Sequence, residues 1–336
     1  MSDSKGLSVK GWLLALVVLA GIGTAIVYAV TRSSTAAGKD AKTTTGRFIP
    51  GNVDTIGGLK LQAIFDSKLL LSLGVRDVVP MEDLPLPPEI RQVLRNTKLE
   101  LPQITSITLG GRSLAKGKEH GGQWIVVIKG DLDKQVIEDG LSAGLSEAPE
   151  KVEDLNVFRT SFGAIFLSNQ KELVMGSRGL VGEGLQVYTG DIPSMDVNQA
   201  MGEVAAGVNK DAVFWVASKL DVPTKLPSVV LVDLDPFTKI THGAVSGDIK
   251  GEQVHLKMAL RVSEDAYAHA LKRTIDDLTG KLVTAMVFIP GTGPLKTFLR
   301  GLDVSISGRR VVLAGTVKMH DIRRVFRGFR KLKSLF

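Results

Sequence analysis

The spacing of apolar positions changes several times along the chain, and each change predicts an element. Trp12–Val30 is a run of nineteen residues without a charge, WLLALVVLAGIGTAIVYAV. A helix of that length spans roughly the 30 Å hydrocarbon core of a bilayer. Trp12 and Tyr28 stand near its ends, where amphipathic rings favour the headgroup level. The run therefore predicts a transmembrane anchor over 12–30, behind a short tail at 1–11. The rival reading is a cleaved signal peptide, with Lys5 and Lys10 as its basic start and Val27-Tyr28-Ala29 as the cleavage site. The run is longer than the usual signal core of about 7–15 residues, which favours the anchor. Residues 31–56, TRSSTAAGKDAKTTTGRFIPGNVDTI, show no apolar period and read as a flexible linker.

Beyond the linker, periods of two and of 3.6 alternate. Leu59–Phe65 reads as a strand, and Lys68–Leu73 and Glu89–Asn96 as short helices around the Pro80–Pro88 loop. Ile104–Gly110 and Gln123–Asp131 form a hairpin about GRSLAKGKEHGG, and the turn at Asp131–Asp133 caps a helix through Leu145. Short strands follow at Val157–Ser161, Ala164–Ser168 and Glu172–Met175, then a helix near Leu180–Tyr188. Residues 190–210, with a helical Met195–Val208, are the join to a second pass. There Ala212–Leu220 is a strand, and Ile240–Ile249 with Gln253–Val262 a hairpin about Lys250-Gly251. Val254, Leu256, Met258, Leu260 and Val262 alternate with polar positions, as on a sheet with one buried face. Ser263 is the predicted N-cap of the next helix, whose stripe runs from Tyr267 to Leu282. Asp303–Ser307 and Arg309–Lys318 pair about Gly308, and a basic helix ends the chain.

The order of hairpin, capped helix, short strands and helix thus occurs twice, at about 104–188 and 240–333. It predicts an α+β fold of antiparallel sheets with helices packed on one face, built from a duplicated unit. The expected domains are 57–190 and 191–336.

Composition adds three limits. Hydrophobic residues make up 44% and charged residues 23%, which excludes a wholly disordered chain. There is no cysteine, which excludes disulfides, thiolate metal sites and cysteine nucleophiles. The formal charge of +7 is concentrated in residues 320–336, whose six Arg and Lys against Asp321 give +5. A near-neutral body with one basic tail is not the footprint of a nucleic-acid-binding domain. The flanks of the span are mixed in sign of evidence. Arg32, Lys39, Lys42 and Arg47 follow it and Lys5 and Lys10 precede it, which by count places the bulk in the cytoplasm. A ten-residue start before one span and a large domain is the arrangement of a signal anchor, which places the bulk outside. The reading adopted is a single-pass protein of a bacterial inner membrane with an extracytoplasmic, periplasmic bulk.

The segments KGDLDKQVIEDGL, FLSNQKELVMGSRGLVGEGL and DVSISGRRVVLAGTV resemble those of uncharacterised bacterial membrane-anchored envelope proteins with paired sheet-and-helix units, over about residues 100–330. The resemblance implies an anchored, two-unit architecture. It implies no activity and no site residue.

Chemistry is sparse in the sequence. None of His120, His242, His255, His269 and His320 lies three or four residues from another, so no helical metal pair forms. GSRGLVGEG from Gly176 lacks the spacing of a dinucleotide or nucleoside-triphosphate loop and reads as a strand-to-helix turn, with Gly supplying unusual backbone angles. Asp233 and Asp235 share an i, i+2 spacing on one predicted strand face, with a solvated loop as the plainer reading. No catalytic, cofactor-binding or metal residue is assigned, and no cofactor is expected. The terminal helix carries the clearest surface signal. Ile322, Val325, Phe326, Phe329, Leu332 and Phe336 form one stripe, and Arg323, Arg324, Arg327, Arg330, Lys331 and Lys333 fill the other side. The stripe packs on the last sheet, or the helix lies on an anionic surface.

The resulting expectation is a non-enzymatic, membrane-tethered binding or scaffolding module of the envelope. Its partners would be the membrane through 12–30 and an envelope protein or anionic lipid. The alternatives are an enzyme whose site assembles only in three dimensions, from His242 and the Asp233/Asp235 pair, and a cytoplasm-facing protein that grips anionic lipid through its tail.

Overall fold

A computed structural model describes residues 47–65, 95, 99, 103–112, 122–145, 147–168, 171–220, 222, 233–286, 293–318 and 320–321. The anchor, most of the linker, the helix at Lys68–Leu73, all of Glu89–Asn96 but Arg95, and the tail beyond Asp321 lie outside these residues. No helix among the described residues is long and apolar enough to cross a membrane.

Among the described residues, twelve strands form one antiparallel sheet. They are β1 (Thr55–Leu59), β2 (Ile104–Arg112), β3 (Gln123–Gly130), β4 (Glu150–Val152), β5 (Leu155–Thr160), β6 (Gly163–Leu167), β7 (Glu172–Gly176), β8 (Phe214–Lys219), β9 (Ile240–Lys250), β10 (Gln253–Val262), β11 (Asp303–Ser307) and β12 (Arg310–Lys318). Their order is β11-β12-β10-β9-β8-β1-β2-β3-β7-β6-β5-β4. The order β1-β2-β3-β7-β6 in one half is matched by β8-β9-β10-β12-β11 in the other. The two halves meet where β1 pairs β8, with Gly57 opposite Val216.

The helices are α1 (Leu61–Phe65), α2 (Lys134–Gly144), α3 (Arg178–Thr189), α4 (Gln199–Ala205), α5 (Asp265–Ala285) and α6 (Gly293–Arg300). They cover both faces of the sheet, which corrects the expectation of helices on one face. On face A, Leu180, Val181 and Leu185 of α3 and Met201, Val204 and Ala205 of α4 pack with Ile125, Val127, Phe166, Val174, Ala217, Ala244 and Ala259. On face B, Ile137 and Leu141 of α2 pack with Ile128, Ile165, Leu167, Leu173 and Met175. Ala268, Leu271 and Ile275 of α5 pack there with Val262 and Val311. Cover on both sides explains why every residue of β6 and β7 is buried. A strand with two dry faces loses the alternation that marks a one-sided sheet.

Three local readings shift. The β1 strand ends at Leu59, and Leu61–Phe65 is helical rather than extended. Ser263 does not cap α5; Glu264 holds that position without a side-chain cap bond, and the Ser263 N–H donates to the Lys239 carbonyl. The end of the linker is packed: Phe48, Ile49 and Val53 are at most 3% exposed. Phe48 stacks on Tyr188 and meets Phe166 edge-on. Burying a side chain of that size is worth about 2–3 kcal/mol. Two adjacent apolar residues in a polar stretch are too few to show a period, so this strap escapes pattern reading. Asp133 caps α2 as expected, its carboxylate accepting from the Val136 N–H at 3.1 Å. Gly251 and Gly308 take positive φ at the two hairpin turns.

Candidate functional site

Residues paired directly across antiparallel strands point their side chains to the same face. Along one end of β8, β9, β10, β12 and β11 the register runs Lys219, His242, Arg261, Arg310, Ser307. Neighbouring strands lie about 4.8 Å apart, so these groups form a continuous row. The row lies on face A, since Ala217, Ala244, Ala259 and Val312, two residues inward on each strand, belong to the core beneath α4. Asp54 continues it beyond Lys219: its N–H donates to the Gly111 carbonyl and its carbonyl accepts from the Lys219 N–H. Arg112, paired with Gln123, lies on the far side.

Two carboxylates on the helices brace this rim. Glu203 of α4 accepts from the Arg261 Nε at 2.6 Å, and the Arg310 guanidinium donates to the Glu203 backbone carbonyl at 2.9 Å. Glu183 of α3 accepts a two-pronged contact from Arg112, at 3.1 and 2.7 Å. Asn52 bridges the same pair, donating to Glu183 and accepting from Arg112. The bond from Arg261 holds the Glu203 carboxyl below its ordinary range, and the bond from Arg112 does the same for Glu183.

A β-bulge shapes the centre of the row. Arg261 pairs with His242 and Val262 with Ile240, so Thr241 and His242 together stand opposite Arg261. The Thr241 hydroxyl donates to the Arg261 carbonyl at 3.2 Å and accepts from the Arg261 guanidinium at 3.3 Å. It also lies 3.0 Å from the His242 Nδ1. A hydroxyl has one proton. With that proton on the carbonyl, the His242 contact requires Nδ1–H to donate, which leaves Nε2 of the neutral ring with its lone pair. Burial pushes the His242 pKa down, and the cations of Arg261 and Lys219 add to the effect, partly opposed by Glu203. Burial and these cations thus favour the neutral form of the ring.

The other sequence candidates disperse. His255 bonds Thr316 at 3.1 Å and His320 pairs with Asp321 at 3.1 Å, while His269 lies exposed on α5. His120 lies outside the described residues. Asp233 is not on a strand: it accepts from the Asp235 N–H at 2.9 Å in a turn, and Asp235 opens a short 3₁₀ helix. The glycines at 176, 179, 182 and 184 have no positive φ. Their role at this strand-to-helix turn is close approach. A Cβ on Gly176 would sit 2.2 Å from the Trp124 carbonyl, and one on Gly184 would sit 2.8 Å from Ile125 and the Phe48 carbonyl. Arg323, Arg324, Arg327, Arg330, Lys331 and Lys333 lie outside the described residues. No group of three His, Asp or Glu among the described residues is placed to hold a metal ion. On face B an open cleft of about 300 Å³ lies between α5, α6 and β11, lined by Val283, Leu299 and Val304 with Asp276 and Arg300.

The sequence reading missed the row because its members are far apart in the chain and only the register unites them. His242 alone was singled out, as a group that meets others only in space.

No protein-family model matches the chain, and no curated protein matches its sequence. Crystal structures of TP0453 are loosely similar in fold. Form III is 8% identical with a TM-score of 0.42, covering 82% of this chain and 94% of that one. Form IV is 7% identical with a TM-score of 0.43, covering 89% and 99%.

Proposed function

We propose that the chain is a non-enzymatic binding module of the bacterial envelope, held to the inner membrane by residues 12–30, with its folded part outside the cytoplasm. The nineteen-residue uncharged run supports the tether. The matched strand orders on either side of the β1–β8 pair support a unit used twice. The cationic row is the observation that carries the binding role. Lys219, Arg261 and Arg310 are brought into register on one face, with Glu203 bonded to Arg261 and Asp54 next to Lys219 as the carboxylates of the row. Cations arranged along a rim steer and hold an acidic partner.

The test places a photo-crosslinking residue at Ser307, at the end of the row, or at Lys272 of α5 on the opposite side, in the full chain in cells. Crosslinks to an acidic envelope protein are expected from position 307 only, and Lys219→Glu should abolish them. Equal yields from both positions, or yields indifferent to Lys219→Glu, contradict the reading.

A second reading has its own observation. The face A surface under α3 is apolar, with Val127, Phe166 and Val174. On the same face of the other half, Ala259 and Val312 belong to the core beneath α4, and beyond them the positions are Lys257 with Ala314 and His255 with Thr316. Among the described residues, this outer part of face A is more polar than the bed beneath α3. That favours docking of the basic tail on anionic lipid over packing on this face of the last sheet.

A further inference from the structure

We propose that Lys219, His242 and Arg261 form a site for hydrogen phosphate, a tetrahedral oxyanion that carries one hydroxyl. The inference rests on the row being a recognition surface and names what its centre recognises. Three observations converge on it.

First, the register sets His242 directly between Lys219 and Arg261, about one strand spacing from each. Second, the Thr241 hydroxyl contacts both the Arg261 carbonyl and the His242 Nδ1; in the tautomer where its proton goes to the carbonyl, Nδ1–H donates and Nε2 carries the lone pair. Third, the ring stands between the cations of Lys219 on β8 and Arg261 on β10, with Arg310 of β12 one strand further along the row. The carboxylates are Glu203 on α4, committed to Arg261, and Asp54 beyond Lys219.

An acceptor among cations is an unusual combination. A bare oxyanion satisfies the cations but sets its own lone pairs against Nε2. A neutral donor satisfies Nε2 but leaves the cations unanswered. Hydrogen phosphate does both: its hydroxyl donates to Nε2, and its charged oxygens accept from the Lys219 ammonium and from the Arg261 guanidinium hydrogens not used on Glu203 and Thr241. Sulfate has the same shape and the same double charge as hydrogen phosphate above neutral pH, and it has no hydroxyl. The two ions differ at this site only in the bond to Nε2. When the ring is protonated, Nε2–H becomes a donor and the distinction reverses.

The experiment is calorimetric titration of the full chain in phosphatidylcholine nanodiscs with inorganic phosphate or sulfate. At pH 8 phosphate is expected to bind about tenfold more tightly than sulfate, the size of effect that one unmade hydrogen bond brings. At pH 5 the preference is expected to vanish or reverse. His242→Gln should erase the preference at pH 8, because an amide can present either a donor or an acceptor. Lys219→Met should weaken both ions. Thermal melts of each variant establish that it is folded. Equal affinities at pH 8, a preference retained in His242→Gln, or no binding of either ion at millimolar concentration overturns the proposal. If the crosslinking from position 307 still depends on Lys219 in that case, the row keeps its role and only the phosphate site falls.

Discussion

Thr241 and Arg261 are bonded twice across the bulge between β9 and β10. The threonine hydroxyl donates to the arginine carbonyl and accepts from its guanidinium. One small side chain thereby holds Arg261 and touches the His242 Nδ1. Thr241→Val keeps the shape and removes the hydroxyl. It should cost about 1–2 kcal/mol in unfolding free energy. It should also release the ring, so that nitrogen NMR shows a mixture of tautomers where the parent shows Nδ1–H. A single unchanged tautomer in the variant would refute the assignment.

Stability should fall as the medium is acidified, in two stages with different owners. The His242 pKa is lowered on folding, so below the ordinary value of 6.5 the unfolded chain takes up a proton that the folded chain resists. Glu183 and Glu203 are also lowered, so the stability they contribute above 4.5 is lost as pH falls through their folded values. Both effects have the same sign. In melts from pH 7.5 to 3.5, His242→Gln should flatten the upper stage and leave the lower one. An upper stage unchanged in that variant would show that His242 does not titrate as described.

Glu172 on β7 is 1% exposed, and its carboxylate accepts from Lys129 on β3 at 2.6 Å. Removing the cation strands a buried charge, whereas neutralising the acid leaves a group of the same shape that can still hydrogen-bond. Lys129→Met should therefore cost about 3–5 kcal/mol, and Glu172→Gln clearly less. Denaturant unfolding of the two variants decides the order, and the reverse order would count against the pair as described.

The glycines of the α3 turn should differ sharply on substitution. Gly176→Ala drives a methyl to 2.2 Å from a backbone carbonyl, which is destabilising by displacement of β3. Gly182 lies in α3 with nothing within 4 Å of its missing Cβ. Gly182→Ala should stabilise by up to about 1 kcal/mol through helix propensity. Melting temperatures moving in the same direction would contradict this packing.

Residues 320–336 should determine vesicle binding if the tail docks on lipid. The full chain and a variant ending at Met319, both in detergent, would be compared for flotation with vesicles containing phosphatidylglycerol. The full chain should bind more, and salt should reduce the difference. Equal flotation would remove the lipid reading of the tail.

The legible parts of the fold were those where one element writes its own period. The β10 alternation, the Asp133 cap and the glycine turns at 251 and 308 are of this kind. The two-sided burial of β6 and β7 was not legible, because GAIFL and ELVMG look alike whether one face or both are covered. Nor was the Phe48–Val53 strap, whose partners Tyr188 and Phe166 are more than a hundred residues away. The candidate site was hidden for the same reason. Lys219, His242, Arg261 and Arg310 occupy four strands, and only a register fixed by the surrounding core aligns them.

The most direct measurement is the pKa of the His242 ring, followed by carbon NMR of labelled histidine in the full chain in nanodiscs, with His242→Gln giving the assignment. If Lys219, Arg261 and Glu203 act on the ring as one electrostatic site, the parent titrates below 6.5. Lys219→Met should then move the value up, and Glu203→Gln should move it further down. A value at or above 6.5 that neither substitution moves would mean that the row is a set of independent surface charges, and the recognition surface proposed for this protein would be lost with it.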